Sequence, residues 1–189
     1  MSQARENEQD LFSHELTLLD WIVKDPIRMR ALTLVRDLNL PQGMIAAGFV
    51  RNLVWDRLHG YEQGRALTDI DVIYFEPDDI SEETDKAYEM KLKALAPELP
   101  WSVKNQARMH IRNGDPSYRS SLDAMSYWPE QETAVGVYLQ DELILVSAFG
   151  FDSLFLLKLT PNPKRDFELF EARVAQKAWL TYYPKLEIC

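Results

Sequence analysis

Between Ile45 and Glu76 the chain reads I-A-A-G-F-V-R-N-L-V-W-D-R-L-H-G-Y-E-Q-G-R-A-L-T-D-I-D-V-I-Y-F-E, and no other stretch restricts the fold as tightly. Ile70, Val72, Ile73, Tyr74 and Phe75 are β-branched or aromatic, the side chains that suit a pleated surface. Successive residues of a strand point to opposite faces, so Asp69 and Asp71 share one face and Ile70 and Val72 the other. Two neighbouring carboxylates repel each other. The pair is tolerable at a strand end if divalent cations sit between them, and such oxygen ligands suit Mg²⁺ (or Mn²⁺) together with substrate phosphates. Upstream, Met44 to Ala47 is short and apolar, after which Phe49, Leu53, Val54 and Leu58 fall at helical spacing. That spacing places Gly48 near a helix N-terminus, where unpaired amides favour an anion and a missing side chain lets a phosphate approach.

With 189 residues, 46% of them apolar, the chain can bury one sizeable core; a single domain over residues 1–189 is expected, with 1–9 a loose polar tail. A net charge of -9 argues against holding duplex DNA or RNA by bulk electrostatics, which needs many Lys and Arg against phosphates. A small phosphate substrate is compatible with it. The one cysteine, Cys189, excludes a disulfide framework and a cysteine-based metal site. Residues 1–10 are polar and no apolar run reaches the roughly 18 residues of a membrane span, so a soluble cytoplasmic protein without a membrane partner is expected. Oligomeric state stays open.

Leu11, Phe12, Leu16, Leu19, Trp21, Ile22 and Val23 predict a first helix that ends before Pro26, and Pro26 opens a second that runs up to Pro41. After the acidic strand, Ser81 is placed to cap a helix that Glu82, Glu83 and Asp85 begin and Pro97 stops. Trp101–Asn105 reads as the next strand. Asn105 either lends an oxygen to a site or is a structural amide bonding nearby backbone. Lys104, Arg108, His110 and Arg112 are the densest basic cluster of this acidic chain. They read as a phosphate clamp, Arg a bidentate fork and Lys a point charge, or as partners of surface acids. Asn113-Gly114-Asp115-Pro116 is a turn, and Ser120 or Ser121 caps a short helix carrying Asp123. Thr133–Leu139 and Glu142–Ser147 form a hairpin about Gln140-Asp141. Asp152 reads as an N-cap, and Lys164–Tyr182 as a final amphipathic helix whose aromatic stripe serves the core or an oligomer contact. The order of elements gives an α/β (α+β) domain: a mixed sheet flanked by helices, with two helices ahead of it and others after it.

At Ala47-Gly48-Phe49-Val50-Arg51-Asn52, His59-Gly60 and Asp69-Ile70-Asp71 the chain resembles the DNA polymerase β-like nucleotidyltransferases. It looks most like their tRNA nucleotidyltransferase and poly(A) polymerase version, Gly-Gly-x-Val-Arg-Asp followed by Leu-Gly and Asp-x-Asp. A wider resemblance, through Trp101–His110, Trp128-Pro129-Glu130 and Thr133–Val137, is to a family of small bacterial nucleotidyltransferase-like proteins of unassigned substrate. The resemblance implies a nucleotidyltransferase-like fold and catalytic, metal-holding roles for Asp69 and Asp71. Gly48, Arg51, Asn52, Lys104 and Arg108 become nucleotide-binding candidates, and Asn105 a further metal ligand near the place of a third carboxylate. Four features depart from the pattern. Ala47 stands for the first glycine, Asn52 for the aspartate, the loop before Asp69 is longer, and no third carboxylate stands on the next strand, where Asp123 is the alternative.

The expected activity is Mg²⁺-dependent transfer of a nucleoside monophosphate from an NTP to an unidentified acceptor hydroxyl, with release of pyrophosphate. The alternative is a nucleotide-binding or regulatory protein on the same fold that lacks turnover. A third reading makes Asp69 and Asp71 solvated strand-end residues of a structural module. No nucleophile paired with a base points to covalent catalysis.

Overall fold

The β-branched runs named above pair into one five-stranded sheet of order β3-β2-β1-β4-β5, built from β1 (Met44–Ala46), β2 (Ile70–Tyr74), β3 (Trp101–Asn105), β4 (Val135–Leu139) and β5 (Leu143–Ser147). This computed structural model describes residues 2–61 and 66–189, with side chains described from Ser13 onwards in the first helix. The loop ahead of Asp69 lies in part outside the described residues. β2 and β3 run parallel because a helix, α4 (Glu82–Leu95), crosses over between them, and the other neighbours are antiparallel. The sheet is therefore mixed, with helices on its flanks, as the order of elements predicts.

Ahead of the sheet lie α1 (Ser2–Val23) and α2 (Pro26–Asp37). α1 is continuous from Ser2, so it extends into the polar stretch that the sequence leaves as a loose tail. α2 starts where Asp25 accepts the amides of Ile27 and Arg28 and Pro26 occupies the first helical position. α3 (Gly48–His59) and α4 follow on from β1 and β2. Leu32 and Val35 of α2, Phe49, Leu53 and Trp55 of α3, and Leu92 of α4 pack on Ile45, Ile70, Val72, Val103 and Val137 in the main core. The strands alternate, so Met44, Ala46 and Ile73 face the other way, into a smaller cluster with Met125 and Ala134. α5 (Gln106–Asn113) and α6 (Ser121–Met125) cover that second face at the Phe75 end. Asp69 and Asp71 share the face with Ile73 but lie where this cover stops.

The last third differs from its sequence reading. Asp152 is the first residue of a single turn, α7 (Asp152–Phe155), and its carboxylate meets His14 Nδ1 at 3.3 Å instead of capping. The predicted final helix is two, α8 (Phe167–Lys177) and α9 (Trp179–Tyr182), broken at Ala178, which adopts φ 51°. The chain end is tied down by a two-residue parallel pairing of β6 (Lys158–Leu159) with β7 (Glu187–Ile188). Among the described residues, no helix is long and apolar enough to cross a membrane.

Candidate active site

β1 ends in a sharp turn at Ala47, whose φ 55° and ψ -125° are an unusual conformation for a residue with a Cβ. The turn is held by bonds on both sides: Ala47 N–H donates to Val135 O at 2.9 Å, and its carbonyl accepts from Arg51 N–H at 2.9 Å. Alanine has no side-chain oxygen, so the first amides of α3 have no side-chain cap. The positive φ falls on Ala47, not on Gly48. What glycine supplies at 48 is space, because a Cβ there would sit 3.3 Å from Asn52 Nδ2 and 3.5 Å from an Arg51 guanidinium nitrogen.

Across from this turn stands the acidic strand. Asp71 pairs in register with Ala46, which brings its carboxylate to the same cleft as Ala47, Gly48, Arg51, Asn52 and Asp69. Burial pushes the half-buried Asp71 up to about 6, Asp69 pushes it in the same direction, and Arg51, Lys177 and Arg173 oppose. Asp69, at the rim, is also raised, first by loss of solvent, with Lys177 opposing. Loss of solvent thus makes both charges costly, and Asp69 adds to the cost of Asp71. A cation between them would relieve both.

The remaining walls are basic and aromatic. Arg51 is buried and lies between two indoles, its guanidinium carbon 4.8 Å from the Trp55 ring centre and 4.4 Å from that of Trp179. It donates to Thr133 Oγ1 at 2.6 Å and to Asn52 Oδ1 at 3.0 Å, and burial lowers it to about 10. Arg173 and Lys177, one turn apart on α8, border the cleft. Arg173 is aimed by the fully buried Glu130, which its Nε reaches at 2.6 Å. The break at Ala178 turns the chain so that Trp179, Tyr182 and Tyr183 line the cleft too.

Asp69 and Asp71 sit where two lobes meet. The first, of about 280 Å³, contains Gly48, Arg51, Asn52 and the α8–α9 residues. The second, of about 350 Å³, extends toward Lys104, Gln106, Arg112 and Trp128. A larger apolar cavity of about 500 Å³ opens elsewhere, beside Leu32, Val35, Met44 and Tyr138, and has no acidic pair.

Seven of the residues singled out in the sequence border these lobes: Asp69 and Asp71 both of them, Gly48, Arg51 and Asn52 the first alone, and Lys104 and Arg112 the second alone, away from Gly48. Asn105 and Arg108 do not. The fully buried Asn105 takes the amides of Glu76 and Ala107 on its oxygen and donates its NH₂ to the carbonyls of Glu76 and Asp79, so all its hydrogen-bonding capacity goes to backbone. That is the structural-amide alternative. Arg108 pairs with buried Asp85 and donates to Ser81 O, knitting α5 to α4. Asp123 pairs with Arg119 on the surface of α6. Arg173, Lys177, Thr133 and Trp179 are the cleft residues that sequence reasoning missed. The only signal was the four-residue spacing of Arg173 and Lys177, which is equally that of a solvated helix face.

Among the described residues no group of three or more His, Cys, Asp or Glu side chains could hold a metal ion. Two carboxylates, Asp71 half-buried and Asp69 at the exposed rim, are still a donor set that fits a hard cation completing its shell with water and substrate phosphate.

A mixed sheet whose acidic strand adjoins a strand–turn–helix defines this chain as a nucleotidyltransferase-like domain. The nucleotidyltransferase family model matches residues 33–188, and the chain belongs to that family. An NMR structure described as revealing a CCA-adding enzyme head domain is similar at 35% identity and a TM-score of 0.81, over 91% of this chain and 94% of that one. The fold also matches a CCA-adding enzyme in complex with CTP, at 14% identity and a TM-score of 0.59, over 90% of this chain but 42% of the enzyme. A structure described as tRNA-processing enzyme complex 3 matches at 15% identity and 0.54, again over 42% of its length. No functionally curated protein matches this chain.

Proposed function

We propose that this protein transfers a nucleoside monophosphate from an NTP to an acceptor hydroxyl and releases pyrophosphate. The observation that carries this reading is the cleft in which Asp69 and Asp71 face the uncapped start of α3, with Gly48 bare and Arg51, Arg173 and Lys177 around it. The α3 amides and Gly48 receive phosphate oxygens, Asn52 closes the turn, and Arg173 and Lys177 balance the negative charge of the triphosphate. Arg51, pinned by Thr133 and the two indoles, holds the phosphate-binding turn against the segment just ahead of β4. Asp69 and Asp71 would hold Mg²⁺ or Mn²⁺, which when bound supplies charge neutralisation on the phosphates and activation of the attacking oxygen. The acceptor oxygen forms a bond to the α-phosphorus, the bond from that phosphorus to the bridging oxygen breaks, and pyrophosphate leaves with the electron pair. The hydroxyl proton passes to solvent at the open mouth of the cleft.

A second reading, a nucleotide-binding protein without turnover, draws on Asp123: the candidate third carboxylate is tied to Arg119 and lies outside the cleft. Calorimetric titration of each NTP with Mg²⁺ tests both readings against Asp69→Ala/Asp71→Ala protein. Binding by wild type alone is expected, and heat from neither protein leaves only a structural module. Pyrophosphate release from labelled NTP then divides enzyme from binder. The setting expected for either is the cytoplasm, with an NTP and an acceptor as partners and no duplex nucleic acid.

A further inference from the structure

The acidic pair has a lobe on each side, and in the proposed reaction the triphosphate occupies only the one beside Gly48. Asp69, Asp71, Thr133, Arg173 and Lys177 border both lobes, so a molecule in the second lobe meets the carboxylates from the side away from Gly48. That is where an attacking oxygen must lie if pyrophosphate departs toward the α3 end, because displacement at phosphorus is in line.

The second lobe has a chemistry of its own. Lys104 pairs in register with Ile73 on the parallel neighbour strand. Trp101 and Val103 of β3 point into the main core, so Lys104 stands on the same sheet face as Ile73 and Asp71. Gln106, Met109 and Arg112 recur every three residues along α5 and present one side of that helix to the lobe. Both cations are exposed, and neither makes an ion pair within 4.0 Å among the described residues, whereas Arg108 of the same helix is fixed to Asp85. Their surroundings include Glu89, whose carboxylate feels Lys104 but is itself bonded to Lys93. Opposite them, half-buried Trp128 packs on the cluster of Met44, Ala46 and Ile73 and turns its remaining surface into the lobe beside Pro129.

We infer that this second lobe binds the acceptor, and that the acceptor is a small phosphorylated hydroxyl compound no larger than about a mononucleotide. The inference rests on the transferase reading above. A point charge and a planar fork, neither in an ion pair among the described residues, suit a dianionic phosphate. Trp128 and Met109 give an apolar bed for a ring or flat body. A lobe of about 350 Å³ holds one small molecule, and a chain of net charge -9 is poorly suited to a long polyanion.

The test is an NMR titration of the full chain, ¹⁵N-labelled, with Mg²⁺ and a saturating α,β-methylene NTP. The probes are the four 5′-mononucleotides and ribose 5-phosphate, each against its dephosphorylated counterpart, and a short single-stranded oligoribonucleotide. Phosphorylated probes should shift the Trp128 indole signal and the side-chain amides of Gln106 and Asn113 without displacing the NTP analogue from Gly48 and Asn52. Lys104→Gln/Arg112→Gln protein should bind those probes at least tenfold more weakly while its affinity for the NTP analogue stays within twofold. The inference is overturned if no probe moves the second-lobe signals, if nucleosides and ribose bind as well as their phosphates, if only the oligonucleotide binds, or if every probe merely competes with the NTP analogue. Failure of the NTP analogue itself to move Gly48 and Asn52 would defeat the transferase reading instead. The two failures are thus read from different resonances.

Discussion

Asp71→Asn removes a charge that the folded chain holds at a cost, and the ligand-free protein should become more stable for it. Burial and Asp69 raise Asp71 from its ordinary 3.8 to about 6. A folded-state value above the unfolded one means that ionising the group favours unfolding. The contribution therefore leaves stability intact below about pH 4, weakens it as pH rises from 3.8 through 6, and has reached its full cost above that. At about 1.36 kcal/mol per pH unit the gap is worth roughly 3 kcal/mol. The amide that replaces the carboxylate is itself partly desolvated, so a net gain of about 1–3 kcal/mol at pH 8 is expected. For a chain of this length that raises Tm by roughly 2–10 °C. Urea and thermal unfolding with EDTA present measure it, taken as variant minus wild type so that other titrating groups cancel. The difference should fall by most of that roughly 3 kcal/mol between pH 8 and about pH 4, reaching zero or below because the amide's own desolvation does not titrate, and added Mg²⁺ should stabilise wild type more than the variant. Equal or lower stability of Asp71→Asn at pH 8 would show that the carboxylate is already satisfied in the folded chain, and the argument for a cation there would fail.

Gly48→Ala should fold, because the new Cβ meets only the ends of the Asn52 and Arg51 side chains, at 3.3 and 3.5 Å, yet calorimetry should find NTP binding at least tenfold weaker. Ala47→Gly relieves a Cβ held at φ 55° and should raise the urea midpoint by an amount equivalent to about 1 kcal/mol. Asn105→Ala strands four backbone groups and should cost about 2–4 kcal/mol in stability while leaving Mg²⁺ affinity unchanged. A lost Mg²⁺ response in a folded Asn105→Ala protein would return the residue to the list of ligands. Arg51→Lys keeps the charge but loses the fork to Thr133 and Asn52 and the stacking between indoles, so unfolding should show a loss of about 1–3 kcal/mol.

Local chemistry made much of the fold legible. Period-two alternation located β2 with Asp71, and Asp69 just ahead of it, on one face, Pro26 marked the start of α2, and Ser120 the cap of α6, where its hydroxyl accepts the Asp123 amide. What escaped was set by distant contacts. Alanine is the best helix former, so nothing in Lys164–Tyr182 announces a left-handed break at Ala178; packing of Trp179 and Tyr183 against Trp55 imposes it. The pairing of β6 with β7 is two residues long and joins segments 29 apart, too short for any periodicity. The candidate site was half readable for the same reason. Its turn and acidic strand are contiguous, but its basic wall comes from α8, where Arg173 and Lys177 look like any solvated helix face. Asn105 misled because a cap that bonds backbone and a metal-binding amide are the same residue in a sequence.

The wall that α8 and α9 contribute arrives about a hundred residues after the acidic strand during synthesis. Until it docks, Asp69 and Asp71 face water without Arg173 or Lys177 beside them, and Arg51 has one indole in place of two. A nucleotide bound as proposed, touching both early and late parts, would act as a clasp across the chain. Each tenfold excess over Kd adds about 1.4 kcal/mol to the cohesion of segments the backbone joins only at long range. Nucleotide-dependent resistance to proteolysis in the C-terminal third would thus report that the final stage of assembly has closed.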